Sequence, residues 1–95
     1  MHSREMDDFR KISEHDNVAI ALRVLQPETK LSIDGADITI NNTIGFGHKF
    51  ALSNIKRGEL IIKYGETIGR ATEDIKRGDH VHTHNLVSMR GRRIA

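Results

Sequence analysis

Hydrophobic residues in this chain fall in short runs separated by polar turns, and most of the runs alternate with a period of two. Leu31-Ser32-Ile33 and Ile38-Thr39-Ile40 flank Asp34-Gly35-Ala36-Asp37, and alternation around such a turn predicts a β-hairpin. Leu60-Ile61-Ile62-Lys63-Tyr64 and Thr67-Ile68-Gly69-Arg70-Ala71 flank Gly65-Glu66. A second hairpin is expected there, closed by those two residues, with glycine supplying positive φ. Val18-Ala19-Ile20-Ala21-Leu22 reads as an earlier buried strand ending near Pro27. Alanine and leucine make helix the competing reading for residues 17–25, but the run is short and Val18, Ile20 and Leu22 fit period two equally well. Asn41-Asn42-Thr43 reads as a turn. Residues 1–11 are polar and aperiodic and read as a flexible extension, 12–88 as the folded domain, and 89–95, with Arg90-Gly91-Arg92-Arg93, as a basic tail.

A repeat organises this pattern. Asn54-Ile55-Lys56-Arg57-Gly58-Glu59 returns as Asp74-Ile75-Lys76-Arg77-Gly78-Asp79, and Leu25-Gln26-Pro27-Glu28-Thr29-Lys30-Leu31 is a degraded third copy. Each has an aliphatic anchor, a polar turn and a second aliphatic residue six positions after the first. Gly58 and Gly78 are expected in conformations closed to residues with a Cβ. Glu28 holds the matching place in the other copy, which predicts a different turn there, fixed by Pro27. Repeats of this length without helical periodicity imply a compact all-β domain of about six to eight short strands, and they are too few for a solenoid. The expected core is Ile20, Leu22, Ile40, Leu52, Ile55, Ile62, Ile68, Ile75 and Val81.

Composition narrows the function classes. Ninety-five residues, 37% hydrophobic and 4% aromatic, make one small domain with a modest core. Burial against a partner, or a homo-oligomer in isolation, would supplement it. The absence of cysteine excludes disulfides and thiolate metal sites. No apolar run approaches the ~20 residues needed to span a bilayer, and residues 1–9 lack the apolar core of a secretory signal; the expectation is a cytoplasmic protein with no membrane partner. The 15 basic and 13 acidic residues are interleaved and aromatics are few, which argues against nucleic acid. The basic tail reads as solvated, with docking on a partner protein or an anionic ligand as the alternatives.

The candidate chemistry lies in His80-Val81-His82-Thr83-His84-Asn85, which holds three of the chain's six histidines. On a strand these three would line one face, where imidazoles can hold a divalent ion, move a proton or bind an anion. Two histidines at i and i+2 lack the third ligand that makes zinc-type motifs specific, so a surface stripe or a buried interface row is the competing reading. His80 follows the turn directly and is the one expected to point outward. His48 follows Gly45-Phe46-Gly47, where glycines permit close backbone approach. It is a candidate proton shuttle or ligand, or else a turn cap bonded to backbone. Lys49 is a candidate partner for a substrate carboxylate, or simply solvated. Gly45-Phe46-Gly47 is not a nucleotide fingerprint, because no glycine follows at the required spacing and no helix is expected behind it. Lys56-Arg57 and Lys76-Arg77 read as solvated turn tips. No serine lies in a nucleophile elbow and Asp7-Asp8 fall in the extension, so covalent catalysis has no candidate.

Gly47-His48-Lys49-Phe50-Ala51-Leu52, Ile62-Lys63-Tyr64-Gly65-Glu66, Ile68-Gly69-Arg70-Ala71 and Gly78-Asp79-His80-Val81-His82-Thr83-His84-Asn85 occur in one order and spacing. Together, over about residues 12–88, they resemble the small N-terminal domain of the altronate dehydratase family, which includes galactarate dehydratase and sulfolactate sulfo-lyase. The resemblance implies a β-clip fold of the SAF type, named for sialic acid synthase, antifreeze protein and flagellar chaperone relatives. It also implies a lyase that uses a divalent metal, Fe2+ or Mn2+, to eliminate water or sulfite from a hydroxy acid. Such an ion would stabilise the enediolate formed on loss of the weakly acidic proton α to the carboxylate, and polarise the leaving group. On this resemblance His82 and His84 are the expected metal ligands, His80 a possible addition, His48 catalytic and Lys49 substrate-binding. Dehydratases of this family fuse the domain to a much larger one, whereas this chain stops at Ala95. The arrangement it resembles is the split one, a small subunit, inactive alone, whose metal site is completed by a large dehydratase subunit acting on a sugar acid. The alternatives are a stand-alone β-clip module binding a carbohydrate acid or peptide, and the small subunit of a sulfolactate sulfo-lyase.

Overall fold

The computed structural model describes residues 8–11 and 13–88. Nine strands and no helix occur among them: β1 (Phe9–Arg10), β2 (Val18–Ala21), β3 (Lys30–Ile33), β4 (Ala36–Thr39), β5 (Lys49–Ala51), β6 (Leu60–Lys63), β7 (Glu66–Ala71), β8 (His80–Val81) and β9 (Leu86–Ser88). They form antiparallel sheets in the orders β1-β2-β5-β8, β3-β4 and β6-β7-β9. The all-β expectation holds, and residues 18–21 are strand rather than helix. Among the described residues no helix is long and apolar enough to cross a membrane.

The anchor–turn–anchor unit occurs four times. Leu25/Leu31, Ile44/Phe50, Ile55/Ile61 and Ile75/Val81 are the anchors, all buried. The residue three places after each first anchor has positive φ: Glu28 at 75°, Gly47 at 83°, Gly58 at 91° and Gly78 at 90°. Each turn closes with one backbone bond: Thr29 N–H to Gln26 C=O at 3.1 Å, His48 to Gly45 at 2.9 Å, Glu59 to Lys56 at 2.9 Å and Asp79 to Lys76 at 2.9 Å. This is the type II pattern, which favours proline at its second position. The expectation of a different turn at Glu28 is therefore corrected: Pro27 presets the same turn, and exposed Glu28 adopts the left-handed conformation despite its Cβ.

The four copies make two equivalent halves. Leu25 and Ile44 exchange backbone bonds in both directions at 2.9 Å, and Ile55 and Ile75 do so at 2.8 and 2.7 Å. Glu28 N–H to Ile40 C=O (2.7 Å) and Ile40 N–H to Thr29 C=O (2.8 Å) have their counterparts in Gly58 to Ala71 (2.8 Å) and Ala71 to Glu59 (2.9 Å). Gly47 to Ala21 and Ala21 to His48, both 2.8 Å, are matched by Gly78 to Ala51 and Ala51 to Asp79, both 2.9 Å. Each half has its own core, one around Leu25, Leu31, Ile44 and Phe50, the other around Ile55, Ile61, Ile75 and Val81. Strands β2 and β5 pass between them: Val18 and Ala51 belong to the second core, Ala19, Ala21 and Phe50 to the first.

That position explains where the expected core departs from the observed one. Ile40, Ile55, Ile75 and Val81 are buried, whereas Ile20, Leu22, Leu52, Ile62 and Ile68 are half-buried. A strand covered on both faces gives no alternation from which to set its phase. Ile20 pairs with Arg10 and Lys49, so it shares the more open face with them. Ile61 and Ile62, adjacent on β6, face opposite sides, and Ile61 is the one turned into the core; the β6–β7 register shift at this point passes over Ile68 of β7. Leu52 and Ile68 pack against the core edges. Phe9 and Arg10, assigned to the extension from sequence, form β1, and the Phe9 ring meets Phe50 edge-on at 6.4 Å. The rest of the extension through Asp7 and the 89–95 tail lie outside the described residues.

Both hairpins close through two residues of positive φ, Asp34-Gly35 (51°, 84°) and Tyr64-Gly65 (56°, 78°), as type I′ turns require. The second turn is one residue earlier than expected because glycine takes the second central position. Asp16, buried, holds that tip through Gly65 N–H at 2.7 Å.

The turn glycines differ in what a side chain would meet. A Cβ at Gly58 has nothing within 4 Å, whereas at Gly78 it would come within 2.1 Å of the Thr39 carbonyl oxygen. Gly58→Ala should lose about 1–2 kcal/mol from its φ alone, and Gly78→Ala at least twice as much. Urea unfolding of the two variants measures this, and equal losses would contradict the close approach at Thr39.

Candidate metal centre

Strand β5 begins immediately after one anchor turn and β8 after another; His48 closes its turn as Asp79 closes the other, and His80 opens β8 as Lys49 opens β5. Antiparallel pairing sets Lys49 opposite Val81 and Phe50 opposite His80, which brings the two imidazoles together. His48 Nδ1 lies 2.9 Å from His80 Nε2, and a Cβ added at Gly45 would meet the His48 ring at ordinary contact distance. One nitrogen of this pair carries a proton and the other accepts it. Two imidazolium rings could not keep the contact, so at least one ring is neutral while it persists.

Strand β8 ends at Val81, and His82–Asn85 form a turn closed by Asn85 N–H to His82 C=O at 3.0 Å. The row of three histidines is therefore not one strand face, as expected from their spacing. The turn folds the His82 ring to 4.8 Å from His48 and 5.5 Å from His80, centroid to centroid. One ligand nitrogen from each of His48, His80 and His82 lies within 4.8 Å of the others. His84, exposed, meets His80 at 5.4 Å and stands outside this group. His80, expected to be the outward member of the row, is the central ring, touching His48, His82 and His84.

The electrostatics favour uncharged rings. Burial lowers the proton affinity of His80, and His48, His84, His82 and Lys49 lower it further. His82 is lowered by desolvation, then by His48, Lys49 and His84. Lys49, half-buried, is itself lowered by burial and by Lys63. Every charge acting on His80 and His82 is thus of one sign, and no carboxylate is among them. Neutral imidazoles are metal ligands, and a basic, partly desolvated cluster attracts anions.

Asn85 closes the His80–Asn85 motif, and the spacing of the motif assigns it no task. It is one of two buried polar side chains among the described residues, with Asp16. The available signal was asparagine's habit of bonding nearby backbone in turns.

Comparison with known proteins places the chain. The profile of the altronate/galactarate dehydratase SAF domain matches residues 7–89, and the chain belongs to that family. It is 45% identical over 80 residues to altronate dehydratase of Bacillus subtilis strain 168, and 48% identical over 77 residues to that of Escherichia coli K12. These alignments cover 84% and 81% of this chain but 16% of each relative, so the chain spans about a sixth of their length. It is also 45% identical over 53 residues to (2R)-sulfolactate sulfo-lyase subunit alpha of Paracoccus pantotrophus, covering 56% of this chain and 79% of that one. The family tie is to lyases.

A pH dependence follows from the lowered proton affinities. Histidine in the unfolded chain titrates near 6.5, while His80 and His82 titrate lower when folded. As pH falls below about 6.5 the unfolded chain binds more protons than the folded one, and stability falls; above it the two rings contribute no slope. Thermal midpoints from pH 8 to 5 should therefore fall further for the native chain than for a His80→Gln, His82→Gln variant. Parallel curves would contradict the assignment.

Proposed function

We propose that this chain is the histidine-bearing part of a hydroxy-acid lyase of the altronate dehydratase type, working with a larger dehydratase polypeptide that completes the site. The observation that carries this reading is the convergence of three imidazoles, His48, His80 and His82, the last two of lowered proton affinity, in a chain whose relatives are dehydratases. His48, His80 and His82 would hold a divalent ion, and His84 flanks them on the open side of His80. Three nitrogen donors without a carboxylate suit Fe2+ better than Mn2+. Such an ion supplies Lewis acidity toward a carboxylate and its neighbouring hydroxyl.

The chain's own residues have separable tasks in this reading. Lys49, on β5 beside the rings, receives the substrate carboxylate; its partial burial strengthens that ion pair relative to one in water. The His48–His80 contact requires one nitrogen to donate and the other to accept, and a neutral donor ring keeps the lone pair of its second nitrogen free to ligate. A second reading is supported by the match to the sulfo-lyase subunit, most of whose length this chain covers: the same site with sulfite rather than water as the leaving group.

The test is to produce the chain alone and together with the large dehydratase polypeptide of its own source. Dehydration of an altronate-type acid is expected only from the complex, to be lost on chelation and restored by Fe2+. His80→Ala and His82→Ala should each lower turnover at least ~10-fold, the lower range for disturbed metal sites. Turnover by the chain alone, or full turnover by a complex lacking both rings, would refute the proposal. Release of sulfite from sulfolactate with no dehydration would establish the second reading instead.

A further inference from the structure

We propose that Asn85 is a positioning residue of the histidine site, holding the backbone of His80 and His82 so that their rings meet His48, with Asn42 securing His80 from the other half. This rests on reading the three rings as one ion site.

The Asn85 side chain makes two hydrogen bonds, both to main chain of ring-bearing residues. Its Oδ1 accepts from His82 N–H at 2.9 Å and its Nδ2 donates to His80 C=O at 2.9 Å. Strand β8 ends at Val81, so no ladder holds His82, and Asn85 takes over at that point. His80 N–H donates to Asn42 Oδ1 at 3.0 Å. The His80 peptide groups are therefore fixed on one side by Asn42 and on the other by Asn85. Since a side chain leaves the backbone at Cα, fixing these peptides fixes where each imidazole starts.

Backbone conformation alone does not call for asparagine at this place. Asn85 is not among the residues of positive φ. Its own N–H bonds His82 C=O and its C=O accepts from Thr72 N–H, both at 3.0 Å, so the turn is closed without the side chain. Yet that side chain is almost wholly buried, where an amide needs partners for each polar atom. The two it has are the histidine peptides. Groups that orient metal ligands in this way typically change affinity 10–100-fold when lost.

The experiment uses the purified chain with Asn85→Ala and Asn42→Ala variants. Co2+ binding is followed by calorimetry and visible absorption, and the imidazole nitrogens are observed by NMR without metal. Each variant is expected to bind Co2+ about 10-fold more weakly. In the metal-free state their His48 and His80 ring signals should shift while those of Phe9 and Phe50 stay in place, a change that a general loss of stability would not produce. Folded variants with native Co2+ affinity and unchanged ring signals would overturn the proposal. If the native chain binds no Co2+, the ion reading fails alone, and the metal-free ring shifts still decide: moved signals uphold the asparagine role and unmoved ones refute it. Asn42 is exposed, so if Asn85→Ala does not fold, Asn42→Ala decides by the same two measurements.

Discussion

Across the β5–β8 ladder Lys49 faces Val81 and Phe50 faces His80, and this short pairing joins one structural half to the other. Phe50 belongs to the first core and Ala51 to the second, so the strand that carries the pairing is held by both. Each of the two strands emerges from an anchor turn whose first and last apolar residues are buried. The histidine preceding β5 and the histidine opening β8 therefore meet because two copies of one turn unit end side by side. Moving either anchor would shift a ring, which couples the modest cores of a small domain directly to its chemistry.

Much of this was legible from the residues. The two hairpins, the left-handed glycines at Gly58 and Gly78 and the buried anchors Ile55, Ile75 and Val81 follow from alternation and from a repeat visible by eye. The copy at Ile44–Phe50 was not, because its turn, Gly45-Phe46-Gly47, shares only its last glycine with Lys-Arg-Gly; the spacing from Ile44 to Phe50 and the positive φ of Gly47 expose it. The phase of β2 was hidden because the strand is covered on both faces. The phase of β6 was hidden because two adjacent isoleucines, Ile61 and Ile62, give no sign of which one turns inward.

The site was legible in part for a related reason. Spacing drew attention to His80, His82, His84 and, separately, His48. It wrongly extended the strand through all three of the first group. A strand of two residues followed by a turn gathers His80 and His82 on His48 and leaves His84 outside. The determinant is Asn85, whose two side-chain bonds reach residues only three and five positions away in sequence, a local arrangement that competes with strand continuation. The resulting cluster is basic throughout, and burial and the neighbouring cations depress the proton affinity of His80 and His82. A cluster of this kind costs the folded protein stability at acid pH. Binding a cation between neutral rings, or an anion beside Lys49, would offset that cost.

The central claim is that the two halves bring three imidazoles onto one ion. X-ray absorption at the metal edge of the Co2+-loaded chain counts those ligands directly, through the distances and multiple scattering of imidazole rings. Three imidazole nitrogens at about 2.0–2.2 Å, falling to two in His48→Ala, are the expected result. A sphere of oxygen ligands with one imidazole or none, unchanged by that substitution, would contradict the account.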